Sequence, residues 1–74
     1  MKEQILKMLS EIRPEFDFNT QNDFLEEGML DSFDIVTIVD YIEENFGVII
    51  PGDEVLPENF NSLAALESII KKYQ

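Results

Sequence analysis

The chain has 74 residues, 45% of them hydrophobic, and sixteen acids against five bases give it a formal net charge of -11. It contains no cysteine and no histidine, which removes disulfides, thiolate metal sites and the usual general base or metal ligand near neutral pH. A self-sufficient hydrolase or transferase is therefore disfavoured, and the acidity argues against nucleic acid or anionic membranes as partners.

The five bases are Lys2, Lys7, Arg13, Lys71 and Lys72, and none occurs from Pro14 to Ile70. Charge of this kind serves solubility in many small proteins; it also steers a chain toward basic patches on partner proteins. A chain this short buries only about 60% of its unfolded surface. We expect one domain over residues 1–74, a monomer. No apolar stretch has the length of a signal peptide or a bilayer span, so a cytoplasmic location without membrane insertion is the default expectation.

Ile5, Leu6, Met8, Leu9 and Ile12 recur at helical spacing and predict a helix from about Lys2 to Ile12. Arg13-Pro14 ends it, because the residue before proline is pushed out of the α region. Pro14 to Leu30 is a long connection that needs anchors, for which Phe16, Phe18, Phe24 and Leu25 are the candidates. Gly28 marks a turn that a side chain would hinder. A second helix is predicted from about Ser32 to Phe46, stopped by Gly47. Its expected apolar stripe is Val36, Val39, Ile42 and Phe46, widened by Ile35 and Ile38.

Val48-Ile49-Ile50 has the composition of a strand, but Pro51-Gly52 breaks it and no partner strand is evident. We read it as an extended loop that buries Ile50. One short helical turn is expected around Pro57 to Phe60. A last helix follows from about Ser62 to Tyr73, capped by Asn61 or Ser62, with Leu63, Leu66, Ile69 and Ile70 inward. The result is an all-α chain: three main helices, a minor one and a long first loop.

Gly28-Met29-Leu30-Asp31-Ser32-Phe33 stands at the start of the second helix. Asp31 or Ser32 can cap that helix by accepting from the free N–H groups of its first turn. The same N–H groups, with the positive end of the helix dipole, favour a phosphate. Local spacing leaves both roles open, and capping is the commoner one.

The ordered set of motifs is more specific. Asp23-Phe24-Leu25-Glu26-Glu27, then Asp31-Ser32-Phe33, then Glu43-Glu44-Asn45-Phe46 and Ile49-Ile50-Pro51 together resemble the acyl carrier protein family over nearly the whole chain. That resemblance implies a small four-helix acyl-carrier-like bundle that is a carried substrate and not an enzyme. It implies 4'-phosphopantetheine attached to Ser32, with Asp31 beside it, and an imported thiol that holds acyl or aminoacyl groups as thioesters. Implied partners are a phosphopantetheinyl transferase using Mg2+ and coenzyme A, an acyl or aminoacyl ligase or synthase, and a downstream acyltransferase. Their basic patches would meet Asp31, Asp34, Asp40, Glu43 and Glu44, with Met29, Leu30 and Phe33 as the apolar centre of contact. Phe33 could equally pack onto the turn before the third helix.

The pattern departs from the fatty-acid-synthesis form, which usually reads Leu-Gly-hydrophobic-Asp-Ser-Leu. Gly28-Met29-Leu30-Asp31-Ser32-Phe33 looks more like D-alanyl carrier proteins and other specialised stand-alone carriers, as does the loop Leu56 to Ser62. Asp40 and Thr37 also depart from the fatty-acid form. Phe33, Phe46 and Phe60 are expected to fill the space a fatty chain would need, which favours small cargo. Two other readings compete. An acidic cation-binding module is suggested by Asp17 to Gly28, although Asn22 and Gly28 stand where a calcium loop needs Gly and Glu; no dedicated metal site is expected. A degenerate carrier kept as a scaffold is the other, against which the intact Asp31-Ser32 pair speaks.

Overall fold

A computed structural model describes all residues, Met1 to Gln74. Three α-helices, α1 (Lys2–Ile12), α2 (Ser32–Phe46) and α3 (Leu63–Tyr73), are joined by two long connections, the second holding two 3-10 turns, Gly52–Glu54 and Pro57–Asn59. There is no strand. The all-helical expectation and the bounds of α1 and α2 are met. One minor helical turn was expected before α3 and there are two, because Gly52-Asp53-Glu54 closes its own turn through Glu54 N–H donating to Pro51 O at 3.0 Å.

Each helix ends where local chemistry dictates. Arg13 adopts φ -134°, ψ 79° ahead of Pro14, while its N–H still closes the last turn on Leu9 O at 2.8 Å. Gly47 ends α2 in the left-handed region at φ 67°. Ser62 caps α3, its Oγ accepting from Ala65 N–H at 3.0 Å, and Lys71 and Lys72 lie in the last turn, where cations suit the helix dipole.

One core of sixteen buried apolar side chains draws on every segment. Its helical part is Ile5, Met8 and Leu9 from α1, Ile35, Ile38 and Ile42 from α2, and Leu66, Ile69 and Ile70 from α3. The stripe on α2 is therefore centred on Ile35, Ile38 and Ile42, and the expected Val36 is not in it: Val36 is 58% exposed. At 100° per residue, positions 35, 38 and 42 share one face and 36 lies on the other. Phe46 is half-buried at the edge.

The long first connection is anchored by aromatics. Phe18 and Phe24 are buried edge-to-face, centroids 5.1 Å apart at 89°, and Phe16 meets Phe18 edge-on from outside, itself exposed. After α2, Val48 and Ile50 turn inward and Ile49 outward, the alternation of an extended segment. Glu54 fixes the second connection to α3 by accepting from Lys72 Nζ and, at 2.6 Å, from Tyr73 OH. Those two hydrogen bonds, from Lys72 and then Tyr73, hold its carboxyl below the ordinary value.

Candidate functional site

The segment before α2 is a compact knuckle. Asp23 Oδ1 accepts from the N–H groups of Leu25 and Glu26 at 2.9 and 3.0 Å, starting a single helical turn. Gly28, at φ 74°, ends that turn. Gly28 N–H donates to Leu25 O at 3.2 Å and Met29 N–H to Phe24 O at 2.8 Å, the paired bonds of a Schellman motif. Asp23 Oδ2 also accepts from Asn61 Nδ2 at 3.1 Å, and Phe24 N–H donates to Asn61 O at 2.9 Å. The knuckle is thereby pinned to the connection that precedes α3.

From the knuckle the chain passes inward through Met29 and Leu30, then outward at Asp31 and Ser32. Asp31 is extended, φ -128°, ψ -176°, and caps α2. Its Oδ1 accepts from Asp34 N–H at 3.0 Å, while its own N–H donates to Asp34 Oδ2 at 2.9 Å, completing a reciprocal capping box. The question left open by spacing is thus answered: Asp31 is the cap. Ser32 is the first residue inside the helix, exposed, and its hydroxyl is engaged in no hydrogen bond with the protein.

Arg13 completes the arrangement. Its Nε donates to Asp34 Oδ2 at 2.9 Å, Nη2 to Asp31 Oδ2 at 3.2 Å and Nη1 to Glu15 Oε2 at 3.5 Å. The hydrogen bond to Asp34, and then the charge of that carboxylate, raise the guanidinium pKa above its ordinary value. The Asp34 side chain is only 11% exposed, against 54% for Asp31. Sequence reasoning gave Arg13 no role beyond ending α1. The usable signal was an Asp-x-x-Asp spacing at a helix start, with one unpaired cation at the end of the preceding helix.

The structure divides the expected contact residues into two groups. Phe33 (83% exposed), Asp40, Glu43 and Glu44 lie on the outer face of α2, with Val36 between Phe33 and Asp40. The apolar pattern alone puts Val36 in the core; its exposure and a helical projection place it on the strip with Phe33, Asp40 and Glu44. Met29, Leu30 and Asp34 are corrections. They are 9%, 3% and 8% exposed, the first two because the knuckle directs them into the core, the third because it is held by Arg13 and the cap. The idea that Phe33 packs on the turn before α3 or fills internal space is also overturned by its exposure. Phe60, fully buried, does fill the core.

In the acid-rich segment 17–28 the two aspartates hold turns: Asp17 Oδ1 accepts from Asn19 N–H at 2.9 Å, and Asp23 starts the knuckle. No group of three or more acidic side chains is gathered as a metal site. No helix is long and apolar enough to cross a membrane.

Residues 3–70 match the family model described as a phosphopantetheine attachment site. No curated protein and no solved structure matches the chain.

Proposed function

The chain belongs to the phosphopantetheine-attachment family, and from that premise we propose that Ser32 is its attachment point and residues 1–74 its working carrier domain. Chains of this family carry covalent 4'-phosphopantetheine, are served by a phosphopantetheinyl transferase and partner enzymes, and are not themselves catalysts.

The observation that supports Ser32 is its free hydroxyl at the first position of a helix already capped by its neighbour. Because Asp31 satisfies Asp34 N–H, modification of Ser32 removes no hydrogen bond from the fold. The first-turn N–H groups and the helix dipole favour the negative charge a phosphodiester brings. In the attachment step the Ser32 oxygen bonds to phosphorus, its proton leaves, and adenosine bisphosphate departs from coenzyme A. When bound, the arm supplies the thiol that this cysteine-free chain lacks.

Partner enzymes meet the outer face of α2 in this reading. Phe33 and Val36 give a small apolar centre, and Asp40, Glu43 and Glu44 give an acidic border suited to a Lys/Arg-rich patch. Asp31 stands next to the attachment point with about half its side chain in solvent. Acyl or aminoacyl groups are the cargo. Small or polar groups, D-alanine among them, are favoured by a core in which Phe24 and Phe60 are completely buried.

The test of attachment is the intact mass after incubation with coenzyme A, Mg2+ and a broad-specificity transferase. Wild type should gain one phosphopantetheine and Ser32→Ala none. No gain, or an equal gain in both, would refute it. The cargo is read from the group released by thioester cleavage of protein purified from its native host; a long fatty acyl group would refute the small-cargo reading.

A further inference from the structure

The attachment turn is held from outside by one side chain, and that chain is the cation nearest in sequence to it, Arg13. We infer that Arg13 is a positioning residue for modification at Ser32: its guanidinium ties the end of α1 to both carboxylates that flank the serine. This rests on Ser32 being the attachment point.

The geometry is specific to arginine. Nε and Nη2 reach different carboxylates, Asp34 at 2.9 Å and Asp31 at 3.2 Å, so the planar fork spans the capping box. Without it, Asp31 and Asp34 are two carboxylates joined only by their bonds to each other's backbone N–H. Like charges at that range repel, and each can then turn to solvent and release the first turn of α2. Arg13 is itself placed by the Arg-Pro stop of α1, which points its backbone away from helical geometry and leaves its side chain alongside α2. The other four bases serve elsewhere or face solvent: Lys72 bonds Glu54, Lys71 lies 3.7 Å from Glu67, and Lys2 and Lys7 are exposed on α1. Arg13 accordingly couples α1, which carries no site residue, to the orientation of the nucleophile.

Orientation errors of about an ångström are worth up to ~100-fold in rate. We expect Arg13→Ala to lower the transferase kcat on this substrate roughly tenfold, with a smaller rise in KM, because Val36, Asp40, Glu43 and Glu44 lie beyond the turn that loosens. Arg13→Lys should recover only part of the rate, since one ammonium cannot span both carboxylates. In an Asp34→Asn background, Arg13→Ala should have little further effect. Hydrogen exchange gives a readout that does not depend on modification: Asp31 and Asp34 amides should lose protection in Arg13→Ala while Ile38 and Ile42 keep theirs. Unchanged kcat, full recovery with lysine, or protection lost equally throughout the chain would overturn the inference. If exchange responds as expected but wild type accepts no phosphopantetheine, it is the attachment reading that has failed, and the positioning role with it.

Discussion

Gly28 and Gly47 offer a matched pair of perturbations. Both are left-handed, at φ 74° and 67°, and a Cβ added to either would meet nothing within 4 Å. Alanine at these positions therefore meets a conformational cost without a steric one. The left-handed conformation costs an L-residue about 1–2 kcal/mol. Reduced freedom of the unfolded chain returns about 0.4–1 kcal/mol, leaving a net loss near 1 kcal/mol for each variant. For a domain of this size that is about 4–8 °C in Tm, measurable by calorimetry or thermal circular dichroism. Function separates the two. Gly28 closes the knuckle that delivers Asp31 and Ser32, so Gly28→Ala should also slow phosphopantetheinylation, whereas Gly47→Ala, at the far end of α2, should not. Neutral melting for both, a loss above about 3 kcal/mol at either, or equal slowing by both would refute this account of the knuckle; the upper bound follows from the conformational costs above.

Ser62 and Ser32 make a second contrast. Ser62→Ala removes a used cap and should cost about 1 kcal/mol, whereas Ser32→Ala should stay within about 0.5 kcal/mol of wild type; urea titration of the two checks this. Phe33→Ala should leave the melting temperature unchanged, since the ring is 83% exposed, and raise KM for partner enzymes in steady-state assays. With a net charge of -11, self-repulsion weakens the fold at low ionic strength, so added monovalent salt should raise the Tm; an unchanged midpoint would contradict that. Glu54, whose carboxyl pKa is lowered by Lys72 and Tyr73, contributes stability above the ordinary carboxylate range that is lost as pH falls through its lower folded value. Glu54→Gln should therefore flatten the acid limb of the stability profile, measured as Tm against pH.

Helix bounds were legible because their signals are local: Arg13-Pro14, the Asp31 cap and Gly47 each act within a few residues. Which face of α2 turns inward was less legible. With Phe33, Ile35, Val36, Ile38, Val39 and Ile42 in one helix, apolar residues span more than half the circumference, and composition cannot choose the centre. The choice is made by where α1 and the rest of the shared core lie. The exposure of Phe33 and burial of Met29 and Leu30 have the same origin. The Schellman turn at Gly28 sets the direction in which the next residues point, and that is a property of backbone geometry rather than of residue type. Asp34 was readable as an acid on a helix and not as a buried one, because its partner Arg13 is twenty-one residues away. The motif at Ser32, by contrast, is read without tertiary information, and the structure leaves that residue exposed at the first position of α2.

The central claim is that one hydroxyl, Ser32 Oγ, bears the prosthetic group. Fragmentation mass spectrometry of peptides from protein co-expressed with a phosphopantetheinyl transferase tests it most directly. The account predicts a single phosphopantetheine on the peptide containing Asp31-Ser32-Phe33, localised to Ser32 and lost in Ser32→Ala. The group on any other residue, or an unmodified peptide under conditions that modify a control carrier, would contradict it.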